Sequence, residues 1–260
     1  MVKLKVTKTD IIPNSVINVV GQQLKRGKRY FGSSGASLTY QASTTYENSE
    51  LENFSTKQVQ IGLDGERKTT TILKKWSEDK PNVVLIDSIH LEGMGKQEEK
   101  IIEDGIVQGG DTDHILCFGH TVLMIDSKAW APKKGYKVIE NGEVYRSNKP
   151  FPGGKVNIVR AGHLWRNALK DFNVNLYSFI CITDNNVFVL RDRNWWKQPY
   201  KLLSYDNLEE WLNKIWNEYT PEEDKEFIDV ALVAYAAMNC VEPYDEVKEL
   251  MPNIAHLLRS

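Results

Sequence analysis

The chain has 260 residues, 33 Lys and Arg against 35 Asp and Glu, and a formal net charge of −2; 41% of it is hydrophobic and 26% charged, an ordinary globular composition with ample length for a core. No apolar run approaches the ~20 residues of a membrane span: the longest, Ile228 to Cys240, is short and carries Asp229, and the opening MVKLKVTKTD lacks the apolar stretch of a signal peptide. Three cysteines, Cys117, Cys181 and Cys240, are odd in number and set in apolar runs, so buried thiols in a reducing cytoplasm are expected, and secreted, disulfide-stapled and zinc-ribbon classes are disfavoured.

Residues 1–60 read as a basic appendage, with a Ser-, Thr- and Gly-rich stretch from Ser33 to Ser49 that has no helical period. From Gly62 the pattern tightens. Asp64-Gly-Glu-Arg-Lys leads into a helix over Thr70 to Trp76, with Leu73 and Trp76 on its apolar side, and Val83 to Ile89 reads as a strand. Two hairpins are expected next: Asp113 to Lys128 around Gly119-His120, and Tyr136 to Arg146 around Asn141-Gly142, the strongest short hairpin signal. Asn157 to Phe172 reads as a helix with Ile158, Ala161, Trp165, Ala168 and Phe172 on one stripe. Leu176–Thr183 and Val187–Arg191 read as strands joined through Asp184-Asn185-Asn186. Asp206 and Glu209 suggest a capping box ahead of Leu208 to Ile215, and Thr220-Pro221-Glu-Glu223 suggests a further helix start. The order gives an α/β core with helical C-terminal additions.

Charge is segregated along the chain. Residues 1–40 carry seven Lys and Arg against Asp10 alone, and residues 128–170 carry ten against Glu140 and Glu143, whereas residues 204–250 carry thirteen Asp and Glu against three Lys. Such a chain can present a positive face to a polyanion, or pair its basic and acidic segments internally.

The first hairpin carries the chemistry. With a two-residue Gly119-His120 turn, Phe118 faces Thr121, and the register carries back to Asp113 opposite Asp126, Cβ atoms ~4.5–5.5 Å apart. Lys128 shares their face by strand alternation, and Ser127 points the other way. Two facing carboxylates beside the apolar Val122-Leu-Met-Ile125 need a proton or a cation between them. Carboxylate oxygens suit Mg²⁺ or Mn²⁺, and a neighbouring Lys can orient water and stabilise developing charge, the equipment of metal-assisted phosphodiester hydrolysis. Glu66 shares a helix face with Leu73 and points at the core or the site; it would otherwise only complement the helix dipole.

These residues carry a resemblance. Gly62-Leu-Asp-Gly-Glu66-Arg, then Asp113-His114-Ile-Leu, then Val122-Leu-Met-Ile-Asp126-Ser-Lys128-Ala-Trp130 resembles the nuclease-related domain, NERD, of the PD-(D/E)XK nuclease superfamily, over about residues 61–190. The resemblance implies a restriction-endonuclease-like mixed sheet flanked by helices. With the chain's own pattern, the resemblance gives a 1–60 appendage, a 61–203 nuclease-like core and a 204–260 helical extension. It implies metal ligands at Glu66, Asp113, Asp126 and the Ser127 carbonyl, and Lys128 as the catalytic lysine, with Mg²⁺ or Mn²⁺ as cofactor. Asp126 stands where the family more often has Glu, and Ala161 stands about where a site-facing Gln is usual.

Around this set, Lys133, Lys134, Lys137, Arg160 and His163 are candidates for binding phosphates, although a solvated loop or helix surface would look the same. His114, turned to the opposite face from Asp113, is expected to pack behind the site. Arg191 to Lys201 interleaves bases with Trp195, Trp196 and Tyr200, as strand-binding surfaces do and as loops anchored on a core also do. The expectation is therefore a cytoplasmic, metal-dependent nuclease acting on nucleic acid, DNA rather than RNA, with no membrane partner and with a protein partner or homo-oligomer open. The alternative is a degenerate nuclease fold that binds nucleic acid or protein without cutting.

Overall fold

The computed structural model describes residues 2–6, 12–35, 56–91, 110–130, 135–138, 144–146, 149–150, 158–184, 188–191 and 200–240. Its centre is a six-stranded mixed sheet. The strands are β2 (Tyr30–Phe31), β3 (Val84–Leu91), β4 (Gly110–Phe118), β5 (Thr121–Lys128), β9 (Asn175–Ile182) and β11 (Lys201–Ser204). They lie in the order β11-β9-β5-β4-β3-β2. The β3-β4 and β4-β5 pairs are antiparallel; the β2-β3, β5-β9 and β9-β11 pairs are parallel. The chain is thus α/β, as expected.

Val84-Leu-Ile86 of β3, Ile115 to Phe118 of β4 and Val122 to Ile125 of β5 are continuous apolar runs because both sheet faces are covered there. On one face Val84, Ile86, Ile115, Cys117, Val122 and Met124 join a cluster with α1 (Asn14–Lys25), α3 (Ile158–Ala168) and α5 (Val230–Met238). On the other face Leu85, Leu116, Leu123 and Ile125 pack with Leu73 and Trp76 of α2 (Thr56–Ser77) and Leu208 and Leu212 of α4 (Tyr205–Lys214). Outside this sheet β1 (Lys3–Lys5) pairs in parallel with β12 (Phe227–Asp229). A four-stranded sheet joins β10 (Phe188–Arg191), β6 (Gly135–Val138), β7 (Val144–Arg146) and β8 (Lys149–Pro150) in that order. No helix among the described residues is long and apolar enough to cross a membrane.

Several expectations change. The segment read as an N-terminal appendage contributes Ile12, Val16, Ile17, Val20, Leu24 and Phe31 to the first cluster, and β2 is an edge strand of the main sheet. The C-terminal α5 is likewise central, with Val230 to Ala237 all buried. Its start is Asp229, whose carboxylate accepts from the amides of Ala231 and Leu232 at 3.0 and 3.2 Å, and not Thr220-Pro221. Pro221 to Asp224 turns instead, because Asp224 is held at the far hairpin by His120 Nδ1, 2.8 Å away. α4 is preceded by Ser204, not opened by an Asp206–Glu209 box, since Ser204 ends the β11 ladder and its Oγ turns to Asn207 Oδ1 at 2.5 Å. The strands flanking Asp184-Asn185-Asn186 go to different sheets: β9 joins the main one and β10 pairs with β6. Of the expected stripe, Ala161, Trp165, Ala168 and Phe172 are buried, and the Ile158 side chain lies outside the description.

Candidate active site

The first hairpin has the expected register, with Phe118 opposite Thr121 and His114 opposite Ile125. Gly119, at φ +53°, supplies the positive dihedral that such a two-residue turn needs at its first position. The ladder ends at the His114–Ile125 pair, and Asp113 and Asp126 are the next residues along the two strands, where the Ser127 amide turns to the Asp113 carboxylate. On the other side of β4 the β3 ladder pairs Asp87 with His114 and Ile89 with Thr112, and the residue between, Ser88, has φ +54°. A non-glycine residue in that region is uncommon and strained, and here it lies beside Asp113. The Ser88 hydroxyl holds the bend by donating to the Ser33 carbonyl at 2.6 Å.

Asp113, Asp126 and Lys128 come together at this end of the sheet. Lys128 Nζ donates to Asp126 Oδ1 at 2.7 Å, and the Ser127 amide donates to Asp113 Oδ2 at 2.6 Å. Glu66 arrives from α2, which closes on the ends of β5 and β9 at Gly65. A methyl there would lie 2.9 Å from Ala129 Cβ and 3.1 Å from Thr183 Oγ1, so only glycine lets the helix come this near. Gly35, at φ +82°, passes over the same turn of α2, where a side chain would strike Leu63.

The site is short of counter-charge. Burial, then the charges of Asp113 and Asp126, push Glu66 up to about 9, with Lys128 opposing. Burial and Asp126 push Asp113 up to about 6, again against Lys128. Burial alone would lower Lys128, yet Asp126 and Asp113 hold it above its ordinary value, so it is an ammonium at neutral pH. Even so, Glu66 Oε2 and Asp126 Oδ2 are two of the five buried side-chain polar atoms that have no hydrogen-bond partner among the described residues. Orphaned carboxylate oxygens are costly and call for a proton or a cation. An all-oxygen donor set of this kind suits a hard divalent ion such as Mg²⁺ or Mn²⁺. Among the described residues, however, no three Asp, Glu, His or Cys side chains are grouped as a ready-made metal cage.

On the opposite face of β4 and β5 lies a second polar cluster. His114 is fully buried; its Nδ1 faces Asp87 Oδ1 at 2.9 Å and its Nε2 faces Ser127 Oγ at 2.9 Å. Asp87 Oδ2 also accepts from Thr70 Oγ1 at 2.7 Å and Tyr30 Oη at 3.0 Å. Burial would lower His114, but the charge and hydrogen bond of Asp87 outweigh it and raise it. His114 was expected behind the site and lies there. Asp87, Thr69 and Thr70 were not foreseen. The available signal was Asp87 itself, a carboxylate interrupting the apolar Val83–Ile89 strand.

The phosphate candidates are not gathered into this site. Lys133 and Lys134 lie outside the described residues, as do Trp195 and Trp196. Lys137 is on β6 in the four-stranded sheet, and Arg160 and His163 are on α3, their side chains outside the description. Ala161 is fully buried in the core and offers nothing to the site.

No known family model, curated protein or solved structure matches the chain.

Proposed function

We propose that the chain is a metal-dependent nuclease of restriction-endonuclease-like fold, as its resemblance to NERD implies, cutting phosphodiester bonds, in DNA before RNA. The observation that carries this reading is the pair of buried, unpartnered oxygens, Glu66 Oε2 and Asp126 Oδ2, beside Asp113 and a charged Lys128. A bound Mg²⁺ or Mn²⁺ would supply Lewis-acid activation of water and of the scissile phosphate. Asp126, Glu66 and Asp113, with the Ser127 carbonyl, would hold it. Binding would displace the proton from Glu66, because a cation removes the reason for its raised affinity. Lys128, rigidly paired to Asp126, orients the attacking water and stabilises charge developing on the phosphate oxygens.

The second reading, a non-cutting module that binds nucleic acid or protein, draws on the buried Ala161 and on the lack of a ready-made three-residue cage among the described residues. The experiment is cleavage of supercoiled plasmid, linear duplex, single-stranded DNA and RNA with Mg²⁺ or Mn²⁺, with EDTA and Lys128→Ala as controls. Metal-dependent cutting that falls about a hundredfold or more in Lys128→Ala is expected. A wild type that binds these substrates in a salt-dependent manner without cutting them selects the binding module.

A further inference from the structure

We propose that Asp87, His114, Ser127 and Thr69 form a hydrogen-bonded positioning relay that sets Glu66 against Asp113, Asp126 and Lys128; it builds on the nuclease reading above. The hydroxyl protons fix which group donates at each link. Thr69 Oγ1 donates back to the Gly65 carbonyl at 3.3 Å, so it must accept from Ser127 Oγ, 2.8 Å away. The single Ser127 hydroxyl proton is thereby used, and Ser127 Oγ accepts from His114 Nε2. The other ring nitrogen, Nδ1, donates the opposite way to Asp87 Oδ1, so the bonds run outward from a ring that holds a proton on each nitrogen, and Asp87 is anchored by Thr70 and Tyr30. The chain runs from Asp87 to the carbonyl of Gly65, the residue before Glu66.

Each link adjoins a site residue. His114 follows Asp113; Ser127 sits between Asp126 and Lys128 and gives its amide to Asp113; Thr69 lies one turn after Glu66 on the same helix. The relay therefore fixes α2 to β4 and β5 at the one level where their side chains must converge. Its Asp-His-Ser distances match those of a nucleophilic triad. Here, though, the serine hydroxyl faces a fully buried Thr69 beneath α2, which leaves an acyl group no approach. Misplacement by a fraction of an ångström at such a site costs turnover more than binding.

The test uses the full chain and three variants, Thr69→Val, Thr69→Ser and Ser127→Ala. Valine keeps the volume and removes the hydroxyl; serine keeps the hydroxyl and trims the volume. Hydrogen exchange at the Ser127 amide, read against the Leu123 amide, should speed about tenfold or more in Thr69→Val and Ser127→Ala, and Thr69→Ser should restore protection. The cleavage kcat should fall in the same two variants by about tenfold or more, with KM held. Wild-type exchange in Thr69→Val, or equal loss in Thr69→Ser, would overturn the relay. If the wild type does not cut, the nuclease reading falls, and the exchange measurement alone decides the relay.

Discussion

Glu66 meets a penalty when it ionises, because its carboxyl is buried beside Asp113 and Asp126 and one oxygen has no partner. Its folded value of about 9 stands well above the 4.5 of a free glutamate. The linkage sign follows. Below about pH 4.5 both folded and unfolded chains hold the proton and no penalty exists; as pH rises through about 9 the folded state is progressively disfavoured. In EDTA, the melting temperature of the wild type should therefore fall between pH 5 and pH 9. Glu66→Gln keeps the shape without the charge and should flatten that fall, melting several degrees above the wild type at pH 8.5 and close to it at pH 5. Thermal melts across this range check it; parallel slopes for the two proteins would mean that Glu66 does not set the slope. With saturating Mn²⁺ the wild-type melting temperature should rise by mass action, and Asp126→Ala should lose that rise.

At the scale of elements, the site depends on how closely α2 approaches the ends of β5 and β9. The sequence pattern leads into this helix through Asp64-Gly-Glu-Arg-Lys, with Glu66 near its start. The helix in fact runs from Thr56, and Gly65 is there for close approach to Ala129 and Thr183. Gly65→Ala should lift α2 off the strand ends and carry Glu66 away with it. The gain in helix propensity, about 1 kcal/mol, opposes an overpacking cost of about 1–3 kcal/mol. Stability should thus fall by no more than about 2 kcal/mol while metal-dependent cleavage falls about tenfold or more. Thermal melts and kcat measured together check this, and an active variant would show that the approach of α2 is not needed. The hairpins show where such details are legible. Gly119-His120 fixed the first register, and with it the Asp113–Asp126 level, because a two-residue turn leaves one pairing. Around Asn141-Gly142 a two-residue turn would pair Val138 with Tyr145, yet Val138 pairs with Val144. The β6–β7 hairpin forms as expected, with its register offset by one residue from that of a two-residue turn.

At the scale of the whole molecule, local pattern found β3, β4, β5, β9 and the α3 stripe, missed the edge strands β2 and β11, and misjudged which ends of the chain belong to the core. Val16, Ile17, Val20 and Leu24 already have helical spacing, and Ile228 to Cys240 is the most apolar stretch; the basic flank and the Ser-rich stretch drew the N-terminus towards a linker reading. What covers each face of a sheet is a property of the tertiary fold and leaves no local trace. The consequence can be measured on the fragment 61–203, the stretch the resemblance marks as a nuclease core. It keeps β3, β4, β5 and β9 but loses β2, α4, which packs Leu208 and Leu212 on one face, and α1 and α5, which cover Val84, Ile86, Ile115, Val122 and Met124 on the other. Full burial of an aliphatic side chain contributes about 1.5–3 kcal/mol, so losing Val230, Leu232 and Val233 of α5 alone removes a large part of the about 5–15 kcal/mol by which a domain is stable. Removing α1 takes Val16, Ile17, Val20 and Leu24 as well. The fragment should aggregate, or bind a hydrophobic dye without a cooperative melt, whereas the full chain melts cooperatively. A fragment with a sharp melt and native near-UV circular dichroism would show that the two ends are appendages after all, and that the sheet is stable without the helices they supply.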